Sequence, residues 1–265
     1  MDARLSGHAR ARPGPGVIRS LSLRPPPIMA RLPRLAIAGL VHHVIQRGHN
    51  RQPVFLDDED RLTYLGALRE AAALHRVAVH AYVLMDDHVH LLVTPPVAEA
   101  LSKMLQAIGR RYVAAFNRRH GRVGTLWDGR FRATVLEDGP HVLACMRYIE
   151  QNPQRLIPPT PATDYRWSSA PHHLGRRRDP MLTDHGLYWA LGNTPFEREM
   201  AWQRLLDEGL AEPEVRAHTD SALKGWALGS GAFLAALGAS TERPMSPRPR
   251  GRPPRTPRGR PAEPA

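Results

Sequence analysis

Residues 77–94 have the sequence VAVHAYVLMDDHVHLLVT, and this stretch decides the fold. The segment 77–85 is mostly apolar and predicts a buried β-strand. Asp86 and Asp87 form a short polar turn, and residues 88–93 continue as a second strand that closes before a pair of prolines. Two strands joined by so short a turn predict neighbouring antiparallel strands.

On the N-terminal side of this stretch, a strand and a helix are expected. Residues 40–45 are rich in β-forming side chains and end at the turn cluster 47–50. The acidic residues 57–60 favour a helix start, because the N-terminus of a helix attracts negative charge. The helix should reach about His75. Its leucines recur at helical spacing, at Leu62, Leu65, Leu68 and Leu74.

On the C-terminal side, a helix over 98–118 is followed by a strand over 125–136. A second helix is expected to start near Pro140 and to stop at Asn152-Pro153. The resulting order is strand, helix, strand, strand, helix, strand, with one added helix. This order predicts an α+β fold, the ferredoxin-like split β-α-β domain with an antiparallel sheet.

The whole chain is predicted to consist of four regions. Residues 1–28 form an Arg/Pro-rich leader that we expect to be disordered, and Met29 opens a better organised segment, so the leader need not be translated. Residues 29–157 are the α+β domain, and residues 158–241 a helical extension. Residues 242–265 are a low-complexity basic tail, also expected to be disordered.

The chain carries a net charge of +12 and has a pI of about 10.9. A charge this positive favours a polyanion as partner, because basic side chains that neutralise phosphates release counterions. No run approaches the roughly 20 apolar residues of a spanning helix, so nucleic acid is favoured over membrane. The single cysteine, Cys145, excludes an intramolecular disulfide and a multi-cysteine zinc site. With no signal peptide, these features predict a bacterial cytoplasmic protein.

His88 and His90 form a His-x-His pair in the second strand of the opening stretch. Alternate residues of a strand point to the same face, so the two imidazoles lie about 6.6–7 Å apart at their Cα atoms and can converge on one metal ion. Val89 and Leu91 then face the core. Taken alone, the pair is a weak signal, and two ordinary hydrogen-bonded strand histidines are the better interpretation of it.

Tyr148 and Asn152 lie one turn apart on the helix that starts at Pro140. Their i, i+4 spacing places a phenol and an amide on one face, beside an apolar stripe that includes Met146 and Ile149. Proline at 153 disfavours helical geometry at Asn152, which therefore sits at the helix end. The structural alternative is a tyrosine flanking the core and a C-terminal cap.

Together with Gly124–Phe131 (GTLWDGRF) and the early turn Arg47–Arg51 (RGHNR), these segments resemble the HUH single-tyrosine transposases. Within that family they are most similar to the REP-associated tyrosine transposases of bacteria. The resemblance covers residues 29–157. The segments YRWSS at 165–169 and GWALG at 225–229 resemble the helical extension of that subgroup.

The resemblance implies that Tyr148 is a nucleophile and that His88, His90 and Asn152 hold a divalent metal, Mg²⁺ or Mn²⁺. The implied reaction cleaves and rejoins single-stranded DNA through a 5′-phosphotyrosine intermediate. The expected partner is single-stranded or hairpin DNA, with repetitive extragenic palindromes suspected, and the location is the nucleoid. Asp86-Asp87 departs from the family, where Asn often precedes the first histidine; the change adds negative charge and removes no ligand.

Arginines outside this set are expected to contact DNA phosphates. In the tail, two Arg-Gly-Arg-Pro segments resemble an AT-hook, which enters the minor groove of A·T-rich DNA; a nonspecific polybasic tail fits equally well. The predicted DNA-binding residues are Arg47, Arg51, Arg110, Arg111, Arg130, Arg132, Arg250, Arg252, Arg258 and Arg260.

Three rival functions remain open on the sequence. The first is a non-catalytic protein, derived from a transposase, that binds DNA hairpins without cutting them. The second is a metal hydrolase in which water replaces Tyr148 as nucleophile. The third is a structural protein, which the charge disfavours. The protein is expected to be a monomer or a homodimer.

Overall fold

The computed structural model describes residues 35–156, 158–241 and 245. The predicted leader 1–28 and all but one residue of the predicted tail 242–265 lie outside the described residues. The boundaries proposed for the four regions stay predictions.

The centre of the fold is one antiparallel sheet of four strands. Its strands follow the spatial order β2-β3-β1-β4, and every neighbouring pair is antiparallel. This is the strand order of a split β-α-β sheet, so the predicted ferredoxin-like α+β class is confirmed. The strands are β1 (Val41–Arg47), β2 (Ala78–Met85), β3 (His88–Thr94) and β4 (Arg132–Leu136).

Helices cover both faces of the sheet. Two long ones pack on the face that carries Val89, Leu91 and Val93, and a third packs on the face that carries Leu92. The described residues after α3 form five more helices. The helices are α1 (Asp58–His75), α2 (Ala98–Arg119), α3 (Pro140–Glu150), α4 (Ala170–His173), α5 (Gly186–Trp189), α6 (Pro195–Glu208), α7 (Glu212–Lys224) and α8 (Gly231–Ser240).

Helix α1 has the predicted position. The side chain of Asp57 caps its start by accepting a hydrogen bond from the backbone N–H of Asp60 at 3.1 Å. Tyr64 and Leu68 are fully buried, whereas Leu62 and Leu74 are exposed. Buried alanines one turn from these two core residues complete the inner side, so the leucine spacing identifies the helix but not its inner face.

Strand β4 is shorter than the predicted strand over 125–136. Only Arg132–Leu136 pairs along β1, and Trp127 makes a single bridge to Gly48. Gly129 adopts a positive φ of 69°, which turns the chain out of an extended path. The aromatic and apolar residues of this segment fill the core from an irregular loop instead.

Helix α3 ends as predicted. Pro140 occupies its first turn, and the helix stops at Glu150. Asn152 begins a 3-10 turn, Asn152–Arg155, directly before Pro153. The apolar side of α3 packs on β2 and β3, so Tyr148 is carried onto the sheet face that also holds the two histidines of β3.

Helix α7 closes against the same face, where it contacts β1, β4 and α3. The chain after it returns to the sheet, because the backbone N–H of Leu228 donates to the carbonyl of Val135 at 2.9 Å. Within the described ranges no helix is both long and apolar enough to cross a bilayer.

Candidate active site

The site begins with three histidines on one face of the sheet. His88 and His90 share that face of β3, and their ring centroids lie 5.1 Å apart. His43 on the neighbouring strand β1 adds a third ring, 5.0 Å from His90. Val89 and Leu91 point into the core on the opposite face, as the alternation predicts.

His43 and His90 are joined by a buried hydrogen bond. Nε2 of His43 lies 2.7 Å from Nδ1 of His90. Burial lowers the pKa of His43 to about 3 and holds the pKa of His90 well below its usual value, so both rings are neutral at pH 7. If Nδ1 of His90 donates, its Nε2 carries a free lone pair that can bind a metal. His43 is then the acceptor that fixes this tautomer.

His88 is held in the same manner by Asp87. Its Nδ1 lies 2.5 Å from a carboxylate oxygen of Asp87, and this hydrogen bond lowers the pKa of the carboxyl. In the described part of the chain, Nε2 of neither His88 nor His90 has a hydrogen-bond partner. Both histidines therefore present Nε2 outward and are anchored through Nδ1, the arrangement of metal-binding histidines with a supporting second residue.

The turn that carries Asp87 is itself fixed by Gly48. The backbone N–H of Gly48 donates to the carbonyl of Asp87 at 2.7 Å. A Cβ atom at this glycine would lie 2.1 Å from the carbonyl oxygen of Gln52, so a larger residue does not fit. The end of β1 thus locks the turn beside the first histidine.

Tyr148 lies against this histidine group. Its ring centroid is 5.6 Å from that of His90 and 5.6 Å from that of His43. Arg155 places its guanidinium 4.5 Å from the ring centroid on a cation–π contact. The structure therefore brings the predicted nucleophile and the predicted histidine ligands together.

The hydroxyl of Tyr148 is covered by α7. It lies 3.0 Å from Oγ1 of Thr219, and the side chain of Tyr148 is buried. The hydroxyl of Thr219 donates to the carbonyl of Val215, so Tyr148 is the donor in this pair. His218 packs on the ring at 5.5 Å, and burial lowers the pKa of His218 to about 4.

Asn152 follows Tyr148 by one turn and is buried. Among the described residues its side-chain amide finds no hydrogen-bond partner, and Nδ2 is an orphaned buried donor. Buried polar atoms without partners are rare, so this N–H is available to an acceptor such as a phosphate oxygen. The predicted role of Asn152 as third metal ligand would use its amide oxygen beside the two imidazole nitrogens, and it stays a prediction.

Three of the predicted DNA-binding arginines line one narrow cleft beside the histidines. Arg47, Arg130 and Arg132 line it together with Asp128 and with Leu223 of α7. Nε of Arg47 is buried without a partner among the described residues, and Arg132 donates to the backbone carbonyl of Leu223. Three arginines against one aspartate leave the cleft positively charged.

The other predicted arginines are not part of this cleft. Arg51 is exposed in the turn after β1. Arg110 and Arg111 lie on α2, which covers the opposite face of the sheet, and Arg111 pairs with Glu70. Arg250, Arg252, Arg258 and Arg260 lie outside the described residues.

Sequence reasoning missed His43, Arg155, His218 and Thr219. Only His43 had a signal, because once β1 and β3 are paired it lies two residues from Ile45, the partner of His90, and so shares the face of His90. Arg155 follows the helix end, where no helical periodicity applies. The two residues of α7 lie about 70 positions from Tyr148, and no local pattern links such distant segments.

Comparison with known proteins is consistent with these features. Residues 36–152 match the family described as "Transposase IS200 like", a segment that holds all four strands and α1 to α3. No protein of curated function matches the sequence.

Two solved structures are similar in part. One, described as a REP-associated tyrosine transposase bound to a REP hairpin, is 18% identical, with a TM-score of 0.47 over 59% of this chain and 92% of that chain. The other, a putative transposase from Deinococcus radiodurans R1, is 26% identical, with a TM-score of 0.33 over 44% of this chain and 92% of that chain.

The matched segment contains His88, His90, Tyr148 and Asn152 as well as the whole sheet. The matching family is the one that the sequence motifs resemble, and the match supports a transposase-like role in DNA processing. Over residues 36–152, the α+β domain of this chain matches the IS200-like transposase family.

Proposed function

We propose that this protein is a metal-dependent single-tyrosine transposase of the REP-associated subgroup, which cleaves and rejoins single-stranded DNA. One observation carries the proposal. The ring of Tyr148 packs at 5.6 Å on His90, whose Nε2 is left free by the bond of Nδ1 to His43. A phenol beside a pre-oriented imidazole donor set is the arrangement that covalent phosphoryl transfer requires.

A divalent ion, Mg²⁺ or Mn²⁺, would be held by His88, His90 and Asn152 and would neutralise charge on a nonbridging phosphate oxygen. Tyr148 contributes the attacking oxygen. Its bond to phosphorus forms as the bond from phosphorus to the 3′-oxygen breaks, which yields a 5′-phosphotyrosine and a free 3′-hydroxyl. The covalent link stores the energy of the broken bond, so a later 3′-hydroxyl reverses the step without a nucleotide cofactor.

Attack by Tyr148 requires α7 to move away from the tyrosine hydroxyl. In the described state the tyrosine hydroxyl is tied to Thr219, and the same helix receives a hydrogen bond from Arg132 at Leu223. One face of α7 therefore occupies both the nucleophile and part of the arginine cleft. A strand that reaches the site must displace these contacts.

Single-stranded or hairpin DNA is the proposed partner. Arg47, Arg130 and Arg132 converge next to the site, and their phosphate contacts would set the register of the strand without reading its bases. Repetitive palindromes as the target, action as a monomer or homodimer, and a cytoplasmic location at the nucleoid stay predictions of the sequence.

The burial of Tyr148 under α7 favours one alternative, a transposase-derived protein that binds DNA hairpins without cutting them. The two functions share the fold and the arginine cleft, and they differ only in whether the hydroxyl of Tyr148 reaches phosphorus. A covalent protein–DNA product separates them.

The deciding experiment incubates the protein with an end-labelled single-stranded hairpin and Mn²⁺, and detects a denaturation-resistant adduct. The adduct is expected from the native chain and absent from Tyr148→Phe, which keeps the ring contacts and removes only the oxygen. Tyr165→Phe is the matched control, since its hydroxyl binds the carbonyl of Leu84 away from the histidines. An adduct retained by Tyr148→Phe, or absent from the native chain with DNA still bound, contradicts the enzymatic proposal.

A further inference from the structure

A second cluster of metal-binding side chains lies in the helical extension, beyond the segment that matches the transposase family. His172 and His173 of α4 face Asp184, which precedes α5, and one ligand atom from each lies within 4.8 Å of the others. Nε2 of His172 is 3.0 Å from Oδ1 of Asp184, and Nε2 of His173 is 3.8 Å from the same oxygen. None of these residues belongs to the site of Tyr148.

The protonation of His173 can be read from Glu150. The carboxylate of Glu150 accepts hydrogen bonds from Ser169 at 2.5 Å and Trp202 at 2.8 Å, and it lies 2.6 Å from Nδ1 of His173. A carboxylate that already accepts from two donors binds a protonated Nδ1, so the neutral ring carries its lone pair on Nε2.

That lone pair has no partner. His173 is fully buried, and its Nε2 makes no hydrogen bond with any described residue. The nearest polar atom given for it is Oδ1 of Asp184, another acceptor, across 3.8 Å. A buried nitrogen lone pair that faces a partly exposed carboxylate oxygen is unfavourable unless a cation or a proton lies between them.

We infer that His172, His173 and Asp184 form a second binding site for a divalent transition metal, with Zn²⁺ as the best fit. Metal bonds of about 2.0–2.2 Å to nitrogen and oxygen place tetrahedral ligand atoms about 3.4 Å apart. The observed separations of 3.0 and 3.8 Å lie on either side of this value. Two imidazoles with one carboxylate favour Zn²⁺ over Mg²⁺, which prefers oxygen ligands.

The surroundings support this assignment. The contact between Glu150 and His173 is the carboxylate–histidine pair that orients metal-binding imidazoles. His172 and Asp184 also line an open cleft with Tyr188 and Arg198, so an ion and its remaining water ligands can enter from solvent. Because Glu150 lies on α3, the site would connect the helical extension to the helix that carries Tyr148.

Binding requires one local change. Nδ1 of His172 now accepts a hydrogen bond from the backbone N–H of Asp179 at 3.1 Å. A neutral imidazole offers one lone pair, so coordination through Nε2 moves the proton to Nδ1 and breaks this bond. Metal uptake is therefore expected to shift the segment that joins α4 to Asp179.

The test uses the full chain in a His88→Ala/His90→Ala background, which removes the proposed catalytic ligands and makes the result independent of the transposase reaction. After dialysis against a chelator, Zn²⁺ is titrated by calorimetry and the bound metal is counted. One Zn²⁺ per chain is expected. Asp184→Asn and His172→Gln should each weaken its affinity at least tenfold, while His75→Gln on α1 should not. Co²⁺ in place of Zn²⁺ should give the strong visible absorption of a tetrahedral site.

Circular dichroism establishes that each variant is folded, and the partly exposed side chain of His172 offers a second variant if Asp184→Asn does not fold. The inference is overturned if no Zn²⁺ binds in this background, or if binding is unchanged in the folded Asp184 and His172 variants. A proton on Nε2 of His173, directed at Asp184, would then occupy the place assigned to the metal.

Discussion

The hydroxyl of Tyr148 donates to Oγ1 of Thr219 across 3.0 Å, so a helix of the C-terminal extension covers the proposed nucleophile of the family domain. Sequence position separates these residues by 71, and the family match ends well before Thr219. The extension therefore contributes directly to the state of the site.

Replacing Thr219 by valine is expected to raise the initial rate of adduct formation several-fold. Valine keeps the volume of threonine and removes the acceptor, which leaves the tyrosine hydroxyl buried without a partner in the covered state. A lost buried hydrogen bond of about 1 kcal/mol shifts the equilibrium toward the uncovered state by roughly fivefold. The measurement is single-turnover cleavage of a labelled strand at saturating DNA.

Thr163→Val is the control for this prediction, because Thr163 is bonded to Asp164 at the surface. A slower reaction in Thr219→Val, with the control unchanged, would mean that Thr219 assists the attack and does not restrain the tyrosine.

Much of this site follows from the sequence, because its elements obey local rules. Strand alternation places His88 and His90 on one face, and a proline at 153 ends the helix that carries Tyr148. The role of His43 could not be predicted in this way. Its bond to His90 depends on the register between β1 and β3, which alternation along a single strand does not specify.

The buried side of α1 shows the same limit. The leucine spacing predicts a helix, yet Leu62 and Leu74 are exposed, and Tyr64 fills the core. In a helix whose apolar residues do not lie on one clear face, the side that packs inward also depends on small residues. In α1 these include Ala67 and Ala71, which are buried beside Tyr64 and Leu68.

His43→Ala is expected to weaken the binding of Mn²⁺ without removing the nucleophile. His43 holds the tautomer of His90 through a bond of 2.7 Å, and loss of such a supporting residue typically costs about 10–100-fold in metal affinity. The Mn²⁺ concentration for half-maximal adduct formation should rise by that factor, and excess Mn²⁺ should restore the rate.

His43→Gln is the conservative partner in this experiment, since its amide can still bond to His90 and should retain much of the affinity. If both variants need no more Mn²⁺ than the native chain, His43 is only a packing residue.

His42 gives the fold a defined acid sensitivity. Burial lowers its pKa to about 4, against about 6.5 in an unfolded chain. Between these values the unfolded state binds more protons, so stability contributed by the neutral ring is present above pH 6.5 and is lost as the pH falls toward 4. The free energy of unfolding should fall by about 1–2 kcal/mol between pH 7 and pH 5 through this group.

Urea denaturation at the two pH values measures this difference, and His42→Gln should reduce it even if the variant is less stable at pH 7. His75→Gln, on the partly exposed end of α1, should leave the difference unchanged. An equal loss of stability with and without His42 would assign the acid sensitivity to other groups.

The arginines of the cleft and those of α2 are expected to contribute differently to the affinity for single-stranded DNA. Arg130 and Arg132 line the cleft beside the histidines, while Arg110 and Arg111 lie across the sheet. Each lost phosphate contact should lower the slope of log affinity against log salt by about 0.7 for a single strand. Arg130→Ala and Arg132→Ala are therefore expected to weaken binding of a short single strand and to flatten its salt dependence. In the same titrations Arg110→Ala and Arg111→Ala should match the native chain, and a flattened slope in those two variants would place the strand on the opposite face of the sheet.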